Sequence, residues 1–293
     1  VHISTLGAFL EEAEHLLMDA DLYYGHGTDN AWDEAVALAS YVLDLPPDVD
    51  ASVMDRTLTA EEKNTLMALV ERRINDKIPV PYLSHTAWFF GLAFYVDERV
   101  IIPRSPLAEL IDHQFQPWLG DRLPERILDL CTGSGCIAIA CAYAFENAQV
   151  DAVEVSELAL QVAQKNLTKH QKEKQVNLIL GDLFDGCQGP YDIIISNPPY
   201  VSEQEYQQLP EEYHYEPKLA LETGDNGLAI VHRILKEAPN YLTPKGILIV
   251  EVGNSADALI AAYPDIPFTW LNFERGGDGV FLLELGENKR WKS

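Results

Sequence analysis

Long apolar runs are missing from this chain of 293 residues: none approaches the roughly 18–20 residues that a membrane-spanning helix needs. Its first stretch lacks a basic segment, an apolar segment and a small-residue cleavage site in succession, so no secretory signal is read there, although the sequence opens on Val1 rather than Met. Basic residues are scarce too. Lys and Arg number 21 against 46 Asp and Glu, a formal net charge of −25. Phosphate backbones are bound chiefly by Lys and Arg, so this balance, with no Lys/Arg cluster to offset it, argues against direct nucleic-acid binding. The same acidity either steers a basic protein partner to the surface or serves solubility alone. Only four cysteines occur, Cys131, Cys136, Cys141 and Cys187, with no C-x-x-C pair, and the eight histidines show neither H-E-x-x-H nor H-x-x-x-H spacing. The cysteines therefore read as reduced core residues, and no disulfide framework or metal site is expected. These absences together describe a soluble, cytoplasmic protein with no membrane partner.

What is present is strong periodicity. Leu6, Phe9, Leu10, Ala13, Leu16 and Leu17 recur at helical spacing, as do Ala35, Leu38, Ala39 and Val42 after the capping-type segment Thr28-Asp29-Asn30. A third helix is predicted from the capping box Thr59-Ala60-Glu61-Glu62 to about Lys77. Pro46-Pro47 and Pro79-Val80-Pro81 punctuate these elements. Trp88-Phe89-Phe90, Gly91 and Phe94-Tyr95-Val96 then suggest an aromatic-rich β-hairpin, followed by a helix near 106–116 and a polar break from Gly120 to Pro124. From Arg126 the pattern alternates. Strands at 127–130, 150–155, 176–180, 191–196 and 247–252 interleave with helices at 136–145, 157–169, 226–240 and 255–262. Two last strands, 267–273 and 279–285, are joined through Gly276-Gly277-Asp278-Gly279. Short apolar strands alternating with helices predict an α/β fold, a mostly parallel sheet covered on both faces, with one antiparallel strand at its end. The expected domains are a helical one at 1–84, a β-hairpin connector at 85–104, and the α/β domain at 105–293.

Asp129-Leu-Cys131-Thr132-Gly133-Ser134-Gly135-Cys136 joins a buried strand to a helix. Such a glycine turn lets a ligand approach the backbone at the carboxyl ends of the strands, where open α/β sheets bind ligands. Glu154 ends the next strand, 19 residues beyond Gly135, a placement that suits a carboxylate accepting from both ribose hydroxyls. After the third strand, Asp182 in Gly181-Asp182-Leu183-Phe184 is placed to accept from an adenine amino group, with Leu183 or Phe184 beside the ring; on its own it reads equally well as a loop cap. Gly133-Ser-Gly135-Cys-Ile-Ala138 also fits the G-x-G-x-x-A of nicotinamide dehydrogenases. Asp129 at the strand end, however, suits a cationic or hydroxylated ligand better than a pyrophosphate.

Asn197-Pro198-Pro199-Tyr200 follows the strand Asp192-Ile-Ile-Ile195-Ser196 at the mouth of the same sheet. Two prolines fix their own φ angles and lack N–H donors, so a turn built on them is rigid and presents acceptors. The Asn side chain adds one acceptor and two donors. Converging acceptors grip an –NH₂ group by its hydrogens. That answers a chemical problem: the nitrogen of an amide or aromatic amine is a poor nucleophile because its lone pair is delocalised. Accepting its N–H bonds returns electron density to nitrogen and turns the lone pair towards a bound electrophile.

These motifs together resemble the HemK/Prm family of protein-(glutamine-N5) methyltransferases, and the resemblance covers nearly the whole chain. Tyr213-His-Tyr-Glu216-Pro217, Leu219-Ala-Leu221 to Gly227-Leu228 and Glu251-Val-Gly253 are similar to further segments of that family. The resemblance implies a class I, Rossmann-like methyltransferase sheet with a small helical N-terminal domain for substrate recognition. It implies S-adenosyl-L-methionine as cofactor, at Asp129, Thr132, Gly133, Gly135, Glu154, Asp182, Leu183 and Asn197. Asn197 and Pro198 would grip the glutamine amide, with Tyr200 along it and Pro199 also on the substrate side; Arg104 would contact the substrate or brace the connector, and reads equally as a surface ion-pair residue. Pro103-Arg104-Ser105-Pro106, Tyr24-Gly25-His26-Gly27 and Trp32-Asp33-Glu34-Ala35 are similar to the PrmB branch, which methylates the third protein of the large ribosomal subunit, a basic substrate. The release-factor branch is the alternative. Glu154 departs from the family, which often has Asp there. Rival readings are an enzyme acting on an exocyclic amine of nucleic acid, a non-catalytic S-adenosylmethionine-binding assembly factor, and a dehydrogenase.

Overall fold

The computed structural model describes residues 3–46, 51–286 and 291. Val1, and Pro47 of the Pro46-Pro47 break, lie outside them. Contacts divide the chain into two compact units, one of Val1–Ala87 with Val96–Glu98 and Pro210–Tyr215, the other of Trp88–Tyr95, Arg99–Leu209 and Glu216–Ser293. The helical unit thus runs to Ala87, three residues past the expected boundary, and takes in two short later segments.

In the helical unit, apolar spacing and capping agree. Leu6–Met18 buries Leu6, Phe9, Leu10, Ala13 and Leu17 along one face. Ala31–Leu43 starts where Asn30 accepts from the Asp33 amide at 2.9 Å. Ala60–Asp76 carries the full capping box: Thr59 Oγ1 accepts from the Glu62 amide and Glu62 Oε2 from the Thr59 amide. Lys77, at φ +55°, ends it. The Pro79-Val80-Pro81 segment is more than a break, since Val80–Ser84 forms a short helix. Pro81 lies in its first turn, where a missing N–H costs no helical hydrogen bond.

One buried cation organises this unit. Arg73 is fully enclosed and pairs with Glu34 at 2.8 Å and Glu212 at 3.2 Å, while Nη2 donates to the Tyr23 carbonyl at 2.8 Å. Glu212 Oε1 also accepts from the Tyr23 amide at 2.8 Å. A charge without water is tolerable only with such partners.

The α/β unit opens at Trp88, within a hairpin of β1 (Ala87–Phe89) and β2 (Leu92–Phe94), turned through Phe90 and Gly91, both at positive φ. The sheet follows: β3 (Arg126–Leu130), β4 (Gln149–Glu154), β5 (Val176–Leu180), β6 (Tyr191–Ser196), β7 (Leu242–Glu251), β8 (Thr269–Leu271) and β9 (Val280–Glu284), in the order β5-β4-β3-β6-β7-β9-β8. β3 to β7 pair in parallel, and β9 runs antiparallel to both its neighbours. The one antiparallel strand expected is therefore present, but it is inserted between β7 and β8 rather than closing the sheet. No described helix is long and apolar enough to cross a membrane.

Both faces of the central strands are apolar, and alternate residues enter two different cores. Ile127, Ile193, Ile195, Ile247 and Ile249 pack with the helix Cys136–Ala144. Leu128, Leu130, Ile194, Leu248 and Val250 pack with Val231, Ile234 and Leu235 of the helix Ala229–Glu237. The parity of β3 puts Asp129 on the first of these faces, inside the core.

Replacing Arg73 by Met would leave Glu34 and Glu212 buried without a counter-charge. We expect a loss of about 3–5 kcal/mol, read from denaturant unfolding followed by a probe in the helical unit. A change below about 1 kcal/mol would show that the ion cluster is not a support.

Candidate active site

Register brings the two sharpest motifs together. Leu130 of β3 pairs with Ser196 of β6, and Ser196 with Val250 of β7. Ser196 is fully buried and its hydroxyl donates to the Leu130 carbonyl at 2.8 Å, which fastens the two strand ends. The next residues along the three segments, Cys131, Asn197 and Glu251, are thereby brought to the same end of the sheet.

The glycine turn lies at this end. Its backbone takes positive φ at Cys131, Gly133 and Gly135 before the helix Cys136–Ala144 begins. Asp129 staples it from beneath: Oδ2 accepts from Thr132 Oγ1 at 2.5 Å and from the Ala138 amide at 3.1 Å, so strand, turn and helix share one oxygen. Oδ1 is buried without a hydrogen-bond partner. Burial pushes the Asp129 carboxyl up to about 7, against those two hydrogen bonds, and the nearby Glu154 adds to the rise. Asn166, also fully buried, ties the hairpin to the turn through Tyr95 and the Ser134 carbonyl. Glu154, at the end of β4, accepts from the Gly133 amide at 2.9 Å and from Ser156 at 3.0 Å.

Two cavities adjoin here. The first, about 760 Å³ to its open mouth, is lined by Gly133, Glu154, Asp182, Leu183, Asn197 and Pro199, with apolar walls from Val153, Val155, Leu219 and Ile230. The second, about 1070 Å³ by the same measure, is lined by Arg104, Ser105, Thr132, Asn197, Tyr200, Glu251 and Asp278 among others. Ile101, Cys131 and Asn197 belong to both and form the partition.

Most of the residues singled out in the sequence thus meet at one place. Asp129, Gly135 and Pro198 line neither cavity; Asp129 acts from below, and Pro198 is buried within its turn. Asp182 lies on the first wall with both oxygens taken by Arg233, at 2.9 and 3.1 Å. Arg104 grips Glu216 with two nitrogens, at 2.6 and 2.7 Å, while Glu216 also accepts from the Ile102 amide at 2.8 Å. Arg104 is thus held in an ion pair with Glu216 while still lining the second cavity. Sequence reasoning missed Ser105, Glu251 and Ser255. Glu251 Oε1 accepts from the Tyr200 hydroxyl at 3.0 Å and Oε2 from Ser105 at 2.5 Å. Ser255 Oγ donates to the Tyr200 carbonyl at 2.9 Å. Burial raises the Glu251 carboxyl above its ordinary range, opposed by those two hydroxyls and by the charge on Arg104. The Glu251-Val-Gly253 segment stood out in the sequence, but nothing local said that its carboxylate meets Tyr200.

Because the Asp129 carboxyl is raised in the folded chain relative to about 3.9 when unfolded, its contribution to stability is complete below about pH 4 and fades as pH rises through about 7. Asp129→Asn has no such loss. The stability of the wild type minus that of Asp129→Asn should therefore fall between about pH 4 and pH 7, by up to about 1.4 kcal/mol per pH unit, in urea unfolding. Parallel pH profiles would contradict this.

Comparison with known proteins gives the family. Residues 113–214 match the Methyltransferase small domain family. The chain is 50% identical over 274 residues to the ribosomal protein uL3 glutamine methyltransferase of Francisella tularensis, covering 93% of this chain and 87% of that one. It is 49% identical over 283 residues to the protein of the same name from Neisseria gonorrhoeae, covering 96% and 94%. Among solved structures, the hMettl16 catalytic domain in complex with the MAT2A 3'UTR hairpin 1 superposes with a TM-score of 0.55 at 17% identity, over 87% of this chain and 92% of that one, a likeness of fold alone. With half of its residues shared along nearly its full length, the chain belongs to the family of ribosomal protein uL3 glutamine methyltransferases.

Proposed function

We propose that this chain transfers a methyl group from S-adenosylmethionine to the side-chain amide nitrogen of a glutamine in ribosomal protein uL3. One observation carries the reading: Asn197 stands in the partition between two cavities, one bordered by the glycine turn and Glu154, the other by Tyr200 and Glu251. In this reading the first cavity takes the cofactor and the second the glutamine.

The first cavity has the chemistry for a nucleoside. Each Glu154 oxygen accepts one backbone N–H, which leaves lone pairs for two hydroxyl donors. The apolar walls suit a flat base. When bound, S-adenosylmethionine supplies a methyl group on a positively charged sulfur. The remaining tasks fall to the chain's own residues. Asn197 accepts from the glutamine –NH₂ and so restores density to a nitrogen that resonance has emptied. The prolines after it hold the turn stiff, so little reorganisation accompanies the reaction. Transfer of that methyl group to the nitrogen lone pair would leave the electrons of the broken C–S bond on sulfur. The nitrogen, briefly cationic, then loses a proton to water, so no strong base is called for. Glu251 already accepts from two hydroxyls and stays outside this step.

The partner fits the charge. A chain at −25 attracts a basic ribosomal protein and repels bare phosphate. Such a substrate also accords with a cytoplasmic place of action.

The test is transfer of labelled methyl to purified uL3, release factors and ribosomal RNA in parallel, with peptide mass spectrometry on the product. Label on one glutamine of uL3 is expected, and Asn197→Ala should lower turnover at least about 100-fold while cofactor affinity changes less than about threefold. Label in release factor or RNA alone would overturn the substrate, and undiminished turnover by Asn197→Ala would overturn the role of that side chain.

A further inference from the structure

The second cavity contains a buried carboxylate that the transfer itself does not use. Glu251 ends β7 and is 6% exposed. Two hydroxyls converge on it from segments far apart in sequence, Ser105 after the hairpin connector and Tyr200 at the end of the Asn-Pro-Pro-Tyr turn. Tyr200 is held at two more points. Its carbonyl accepts from Ser255, and its ring lies so close over Gly253, at φ +45°, that a Cβ there would come within 2.5 Å of the ring. Ser105 is fixed as well: its hydroxyl accepts from the Leu107 amide at 3.2 Å, and its neighbour Arg104 is clamped to Glu216. One carboxylate therefore joins the braced connector to the turn that carries Asn197.

We infer that Glu251 is a positioning residue, whose carboxylate fixes the Tyr200 phenol against Ser105 and thereby aims the turn at the acceptor nitrogen. The chemistry calls for an acid here rather than an amide. Two O–H donors need two acceptors, and an ionised carboxylate supplies both with no hydrogen of its own. Glutamine at this position would turn an N–H towards one of the hydroxyls, and that hydroxyl's hydrogen would then have no partner in a buried place. Glu251 acts through Tyr200, three residues from Asn197, and touches no reacting atom. The inference rests on the proposed function and assigns a residue to the same site.

The experiment uses the full chain as wild type, Glu251→Gln, Tyr200→Phe and the double variant, with uL3 as substrate. It reads kcat, KM and, by calorimetry, the Kd for S-adenosylmethionine. Glu251→Gln should lower kcat about tenfold or more with the cofactor Kd changed less than threefold, and adding Tyr200→Phe should lower it little further, because the two changes break one interaction. Ser105→Ala, which leaves the carboxylate in place, should cause a smaller loss of the same kind; with Tyr200→Phe it forms a second cycle should Glu251→Gln not fold. Wild-type kcat in Glu251→Gln, losses that multiply in the double variant, or a cofactor Kd that weakens in step with kcat would each overturn the inference while the proposed function stands. A wild-type chain that labels no glutamine would remove both.

Discussion

The hydrogen bond from Ser196 to the Leu130 carbonyl joins the carboxyl ends of two neighbouring parallel strands, and the site is organised around that junction. Parallel pairing in register leaves the residues that follow each strand side by side, whatever their distance in sequence. Cys131 opens the glycine turn, Asn197 opens the Asn-Pro-Pro-Tyr turn, and Glu251 closes β7, all at the same end of the sheet. A slip of one residue in β6 would exchange the two cores and turn Asn197 to the other face. Ile193, Ile194 and Ile195 would suit either face, so the residues that oppose such a slip are Tyr191 and Asp192 at the start of β6, bonded to Asp151 and to the Glu125 and Arg126 amides, and Ser196 at its end. Strand register and the geometry of the partition are thus one constraint.

Carboxylates do the local work of the site. Asp129, Glu154 and Glu251 are all buried, and each gathers donors from a neighbouring segment: Thr132 and Ala138, Gly133 and Ser156, Ser105 and Tyr200. A buried acid without donors costs free energy, so each also resists movement of the loop that supplies them. The surface acids act differently. They set the net charge of −25, which bears on encounter with a partner rather than on geometry.

Much of this was legible in the sequence, for stated reasons. Helix starts at Asn30 and Thr59 are local capping chemistry and stand where the sequence puts them. The apolar runs ending at Leu130 and Ser196 announce buried strands, and the turns after them announce a site at the strand ends. What stayed hidden depends on partners distant in the chain. Strand order is such a case: nothing local tells Val280–Glu284 to insert beside β7 rather than lie at the edge. The grip of Arg104 on Glu216 spans more than a hundred residues, as does the bond from Ser105 to Glu251. Asp129 shows the converse. Its place in the motif suggested contact with a ligand, whereas strand parity puts it under the turn, with one carboxylate oxygen held by Thr132 and Ala138.

The central claim is that Asn197 stands where acceptor nitrogen and donor methyl meet. A crystal structure with a bisubstrate compound, in which a glutamine amide nitrogen is linked covalently to the adenosine portion of the cofactor, tests it most directly. The adenosine is expected in the cavity beside Glu154, the glutamine stem in the cavity beside Tyr200, and the linked nitrogen within about 3 Å of the Asn197 side-chain oxygen. Both portions lodged in one cavity, or an Asn197 side chain turned away from the linked nitrogen, would contradict it.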